Sequence, residues 1–237
     1  MSRACVTLVT ALVGIAALTA CSASSDKPAP GSGTTQNDDK PPSAPVPKPI
    51  RKDLTQAQIT QALLGDGETL PGWSLHGDKS VTEGQYCNGT QDADSAPAGW
   101  VRGGDSSYEY NGSTNNMAFI DICLFKSADD AHRQYTTWKG TETSKQQNPK
   151  RPVGDENTLV INPGLSDDSV DGYVRSGKVN IRVRIEGGTA GDPSGAQAML
   201  AATLKRLQQL QDGKSATVTT PENRPRPGSK RSARPWA

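Results

Sequence analysis

Groups able to do acid–base or nucleophilic chemistry are scarce in this chain of 237 residues, which contains only two histidines, His76 and His132. His76 sits in Leu75-His76-Gly77-Asp78, which reads as a turn, and His132 lies beside the apolar face of a predicted helix. The sequence has no HExxH pair, GxSxG elbow, phosphate-binding loop or dinucleotide fingerprint. It therefore points to no catalytic residue, no metal site and no cofactor, and the chain is expected not to be an enzyme. The acidic run Asp167-Asp168-Ser169-Val170-Asp171-Gly172 offers oxygen ligands for calcium, but lacks EF-hand spacing and its terminal Glu. It reads as a solvated turn between two strands. Arg175, Arg182 and Arg184 are the better candidates for ligand binding. Arg182 and Arg184 share the polar face of one predicted strand, and a hairpin would lay Arg175 across from them. Such a row of guanidinium forks can bind phosphate or carboxylate in bidentate fashion. The plainer reading is a solvated strand face on which these arginines pair with Glu186 and Asp171.

Each of the four cysteines has a distinct place. After Arg3 the chain runs from Ala4 to Ala20 without a charge, as a secretory apolar region does, and at the short limit for a spanning helix. It ends in Leu18-Thr19-Ala20-Cys21, which resembles the bacterial lipobox: a large apolar residue, two small ones and a thiol. The small residues let extended backbone enter a peptidase, and the thiol accepts a diacylglycerol before cleavage. Cys21 is thus the expected lipidation site, anchored by palmitate-like chains where a single chain would be marginal. Residues 1–20, with Cys5, leave as signal peptide. The plainer readings are an ordinary signal peptide with a cysteine nearby or an uncleaved anchor helix; the abrupt change of composition at Cys21 favours the lipobox. Cys87 and Cys123 remain, an even pair in an oxidising compartment. With no CxxC or His-rich partner for a metal, a disulfide is preferred over free thiols or half a metal site, and closing its loop is worth about 4 kcal/mol.

Placing these groups requires a folded part, which composition bounds. From Ser22 to about Lys48 the chain is Ser, Pro, Gly, Thr, Asp and Lys with one Val, too polar to offset its ordering entropy. Residues 21–50 are therefore lipidated cysteine and disordered stalk, with a coil reach of about 30 Å. Residues 51–211 form the expected globular domain, and the polar, Pro-rich, basic segment 212–237 a disordered tail. The domain holds 16 Lys/Arg against 20 Asp/Glu, the tail 6 against 2. The folded part thus has no basic character, which argues against nucleic acid as a partner. The tail is suited to anionic lipid or cell-wall polymer, or simply solubilises.

Within the domain, Thr55 and Gln58 form a capping box, with Leu54 and Ile59 as a hydrophobic staple, for a helix reaching Leu64. Ser127-Ala128-Asp129-Asp130 opens a second, with Ala128, Ala131, Tyr135 and Trp138 on its apolar face and Gly140 closing it. Asp192 caps the third, Pro193 starts it, and Met199, Leu200, Leu204, Leu207 and Leu210 recur at helical spacing before Gly213. Val179, Ile181, Val183 and Ile185 alternate with polar residues, the pattern of a strand with one wet face, joined to Gly172–Arg175 through Ser176-Gly177. Met117–Phe125 is apolar on both faces except at Asp121, as suits a central strand. Weaker strands are expected at Trp100–Val101, Ser107–Tyr110 and Asn157–Ile161. Trp73, Trp100 and Trp138 read as core or core-edge residues. The fold class is α+β, a mostly antiparallel sheet with about three packed helices, one disulfide, and a disordered stalk and tail.

Four motifs keep their order along residues 54–210: Ala62-Leu63-Leu64, Leu70-Pro71-Gly72-Trp73, Val153-Gly154-Asp155-Glu156 and Tyr173-Val174-Arg175-Ser176-Gly177-Lys178-Val179. In this layout the chain resembles an actinobacterial group of lipoproteins and PknH-like extracellular sensor domains. The resemblance implies an α+β domain with an antiparallel sheet and a cleft for an unknown small ligand, and it carries over no catalytic residue. That kinase sensor domain has two disulfides, whereas this chain has cysteines for one. Together these readings make the protein a non-enzymatic binding or sensing module, lipid-anchored to the outer face of the cell membrane. The alternatives are a structural lipoprotein tethering membrane to wall and, weakest, a wall or lipid hydrolase.

Overall fold

The computed structural model describes residues 48–89, 95–149, 151–164, 168–187 and 193–220. Cys21, the signal segment, residues 21–47 of the stalk, Asp167, the Asp192 cap and residues 221–237 lie outside them.

The fold is the expected α+β class. Seven strands form one antiparallel sheet in the order β1-β2-β3-β7-β6-β5-β4. They are β1 (Trp73–Ser80), β2 (Trp100–Tyr110), β3 (Ser113–Phe125), β4 (Gln146–Gln147), β5 (Glu156–Asn162), β6 (Ser169–Ser176) and β7 (Val179–Glu186). The helices are α1 (Gln56–Ala62), α2 (Ala128–Thr141) and α3 (Pro193–Gln211). Because side chains alternate along a strand, β3 sends Ala118, Ile120, Ile122 and Leu124 to one side and Phe119, Asp121, Cys123 and Phe125 to the other. The first side carries the main core. There Ile181, Val183, Val174 and Val170 meet Ile59 and Leu63 at α1 and Met199, Leu200, Leu204 and Leu207 of α3. On the second side α2 lays Ala131, Tyr135 and Trp138 over Phe125, Val160, Tyr173 and the two cysteines.

Local chemistry sets the helix ends. The Thr55 hydroxyl accepts from the Gln58 amide at 3.2 Å while Gln58 Oε1 accepts from the Thr55 amide at 2.8 Å, so the capping box is closed in both directions. α1 ends at Ala62, earlier than the expected Leu64, because Leu63 turns extended at ψ 144°. Ser127 caps α2 as expected, but Ala128 is exposed and Gln134 takes a buried place instead. α3 closes with the Gly213 amide on Leu210 O and the Lys214 amide on Gln209 O, the paired bonds of a Schellman end.

Four further expectations change. Leu75-His76-Gly77-Asp78 is not a turn; it belongs to β1, an edge strand whose polar residues reach water along one margin of the sheet. Trp100–Val101 and Ser107–Tyr110 are the two ends of a single strand, β2, running through Gly103 and Gly104. The tail does not begin at Asp212. Ala216, Val218 and Thr220 alternate inward along a strap, with the Thr220 amide bonded to Glu68 O at 2.9 Å. Arg206, 3% exposed, is held between this strap and α1 by Val218 O, Gln61 O and the Glu68 carboxylate. At the other boundary Ile50, placed in the stalk by composition, is fully buried, and the Lys178 amide donates to its carbonyl.

Candidate functional site

β6 and β7 meet through the two-residue turn Gly177-Lys178, with Ser176 opposite Val179. That register puts Arg175 opposite Asn180, Tyr173 opposite Arg182 and Asp171 opposite Arg184, all on the second side of the sheet. β3 continues the rows, with Asp121 opposite Arg182, Phe119 opposite Arg184 and Met117 opposite Glu186. The three candidate arginines thus share a face, but α2 crosses it and separates them.

Arg175 lies at the α2 N-terminal end. It reaches Asp155 at 3.3 Å and bonds closely to Glu156, which also meets His132 Nδ1 at 2.8 Å. Burial works against the Glu156 charge, yet the bonds from His132 and Arg175 hold its carboxyl below the ordinary 4.5. Arg175 lines a hollow of about 290 Å³ with Pro49, Ile50, Arg51, Ala128, Asp155, Gly177 and Lys178. The half-wet strand face expected for β7 is here dry: Asn180 is fully buried beneath α2 and donates to Ala131 O at 2.9 Å.

Arg182 and Arg184 lie beyond the C-terminal end of α2, where the sheet face opens. Arg182 Nε donates to Asp121 Oδ2 at 2.9 Å, and its guanidinium carbon stands 5.7 Å from the Trp138 ring. Arg184 Nε donates to Asp171 Oδ1 at 2.8 Å. Asp171 is 1% exposed and its other oxygen accepts from Asn162 Nδ2 at 3.0 Å. Asn162 also meets Glu142, the residue that ends α2, and the Tyr173 hydroxyl donates to the same carboxylate. Asp171 was expected in a solvated turn; it lies within β6, and the buried position is tolerated because both its oxygens are bonded. Burial opposes the charge of both arginines, but their aspartates overcome it and raise each above its ordinary value.

This arrangement fixes the arginines while leaving their ends available. Each guanidinium is held by Nε, and among the described residues the terminal nitrogens of Arg182 and Arg184 are given no hydrogen bond to donate; Glu186 Oε1 stands 3.6 Å from Arg184 Nη1. Phe119, Asp121, Arg182, Arg184 and Glu186 enclose a hollow of about 220 Å³. A further hollow of about 310 Å³ lies between the start of α1 and the end of α3, lined by Lys52, Asp53, Leu54, Gln58, Leu210, Gln211, Asp212 and Gly213. Neither larger hollow combines anchored cations with an aromatic floor, so we place the candidate site at Arg182 and Arg184.

Sequence reasoning found those two arginines and their partners Asp171 and Glu186, but not Phe119 or Asp121. The signal for Asp121 was present, since it is the one charge in Met117–Phe125. Both histidines do meet an acid, His76 at Glu109 (3.2 Å) and His132 at Glu156 (2.8 Å), but their side chains are 49% and 57% exposed and neither lines this hollow. Ser107, opposite His76 in the sheet, donates its hydroxyl to the His76 carbonyl at 3.0 Å. The second-side cluster is pinned by a disulfide between Cys87 and Cys123. Among the described residues no group of three or more His, Cys, Asp and Glu is placed to hold a metal ion, and no helix is long and apolar enough to cross a membrane.

The sequence matches no protein-family model and no curated protein. Among solved structures it is similar to the extracellular domain of PknH from Mycobacterium tuberculosis, at 12% identity and a TM-score of 0.45, over 71% of this chain and 100% of that domain.

Proposed function

We propose that this chain is exported, cut before Cys21 and lipid-anchored there, and that its domain binds a small ligand at Arg182 and Arg184 without transforming it. The observation that carries the binding role is the anchoring of both guanidinium forks through Nε to Asp121 and Asp171. Arginines held this way are already ordered, so a ligand meets preorganised donors and loses less entropy on binding. The extracytoplasmic reading draws on the Cys87–Cys123 disulfide, a bond that persists in oxidising compartments, and on the Leu18-Thr19-Ala20-Cys21 motif. The non-enzymatic reading draws on the exposed histidines, which stand away from the arginine hollow.

One preparation tests both parts. Full-length protein is produced in cells fed labelled palmitate and recovered from their membranes for native mass spectrometry. Wild type should carry label and Cys21→Ala should not; a labelled, normally processed Cys21→Ala protein refutes the anchor. Wild type should retain a small molecule that Arg184→Met loses. A ligand retained equally by both, or by neither, refutes the assignment of the site.

A further inference from the structure

The charges around the arginine hollow decide what kind of anion they can hold. The facing strands β3 and β7 form a grid of three rows: Asp121 with Arg182, Phe119 with Arg184, and Met117 with Glu186. The hollow is lined by two cations and two anions, Arg182 and Arg184 against Asp121 and Glu186. Behind it Asp171 adds a buried negative charge, and on the β2 side the same face continues with Asp105, Ser107 and Glu109 opposite Asp121, Phe119 and Met117. A phosphate dianion entering this surface would meet more carboxylates than guanidiniums, and its second charge would be repelled. A ligand with one negative and one adjacent positive charge meets no such excess.

Resting on the binding role proposed above, we infer that the Arg184–Glu186 pair on β7 takes a zwitterion of the α-amino-acid type. Its carboxylate accepts from the terminal nitrogens of Arg184 and Arg182, its ammonium sits against Glu186, and its apolar side chain packs on Phe119 and Met117. The gap between Arg184 Nη1 and Glu186 Oε1 is 3.6 Å, longer than a hydrogen bond, so the two are not committed to each other. Glu186 is 46% exposed and can turn toward a ligand, while the terminal nitrogens of Arg184, a side chain 39% exposed, already face one. Same-face neighbours along a strand stand about 6.8 Å apart at their backbones, room for an ammonium and a carboxylate side by side. Phe119 lies directly across from Arg184, where an apolar side chain leaving the same α-carbon would go.

Four probes separate the parts: L-phenylalanine, 3-phenylpropionate, which lacks the amine, phenethylamine, which lacks the carboxylate, and inorganic phosphate. Binding to the full-length protein is followed by titration calorimetry and by NMR shifts of residues 117–121 and 182–186. Phenylalanine should bind at least tenfold more tightly than each of the other three. Glu186→Gln should weaken phenylalanine at least tenfold and erase its advantage over 3-phenylpropionate. Equal or tighter binding of 3-phenylpropionate or phosphate at these residues overturns the zwitterion but leaves the arginine site standing. Phenethylamine binding as well as phenylalanine, unaffected by Arg184→Met, overturns both, as does the failure of all four probes.

Discussion

Replacing Cys87 and Cys123 together by alanine removes the one covalent cross-link of the domain. The bond closes a separation of 36 residues, and the chain-entropy relation gives about 4 kcal/mol for a loop of that size. The native state adds to this figure. Both cysteines are fully buried against Phe125, Tyr135 and Trp138, so two sulfur atoms are lost from a close-packed cluster. The segment they tie down also supplies two acceptors to α2. Trp138 Nε1 donates to Cys87 O at 3.1 Å, and Gln134 Nε2 donates to Asn88 O at 2.5 Å. Loss of the bond should therefore cost at least 4 kcal/mol, a large share of the ~5–15 kcal/mol that holds a domain together. At about 2–4 °C per kcal/mol, that corresponds to a fall in Tm of roughly 8–16 °C. Urea unfolding of the oxidised protein and the double variant, with the slopes compared, measures it. A difference below about 1 kcal/mol at equal slopes would refute both the loop-closure reasoning and the claim that this segment holds α2 in place.

Two further perturbations test the local geometry. Gly177→Ala puts a side chain on a residue at φ +56°, with the new Cβ 2.0 Å from Ile50 O; it should cost about 2 kcal/mol or more and expose the bond after Arg51 to trypsin. A Tm and a digestion pattern like wild type would show that the β6–β7 turn does not seat the chain's approach to the domain. Glu156 contributes stability that is complete at pH values above its ordinary 4.5 and is lost as pH falls through its lowered folded value. The stability gap between wild type and Glu156→Gln should accordingly shrink on acidification below about pH 4.5; a gap that stays constant from neutral to acid pH would mean that the carboxylate is not held by His132 and Arg175.

Much of the fold was legible because the residues that decide it act locally. The capping box at Thr55 and Gln58, the Ser127 cap and the leucine spacing of α3 depend on neighbours within one or two turns. The hairpin of β6 and β7 was legible through its alternation and its glycine, with the turn shifted by one residue to Gly177-Lys178. The boundary errors share one physical origin, which is burial supplied from a distance. Ile50 lies among prolines, and only the carbonyl it offers to Lys178 and the core beneath it draw it into the domain. The strap 214–220 looks polar, yet its alternate residues Ala216, Val218 and Thr220 form an extended pattern once α3 provides a surface for them. β1 is an edge strand, with little apolar signal because it needs little.

The same distinction explains why the candidate site was half visible. Arg182 and Arg184 stand out because charge alternates with Val and Ile along β7, but nothing local says which face another element will cover. α2 covers the Asn180 end and leaves the Arg184 end open, so one strand face is dry at one end and wet at the other. Where the face is open, each cation has been given a carboxylate at Nε rather than at the fork. A surface that needed only charge balance would be satisfied by pairs of exposed side chains, which are worth little. Here Asp171 is 1% exposed and itself braced by Asn162, which Glu142 also contacts, so folding has spent a desolvated acid on fixing one half-exposed arginine. Desolvating a carboxylate is costly, and what this one does in the fold is to fix the direction of Arg184, whose outer end stays exposed.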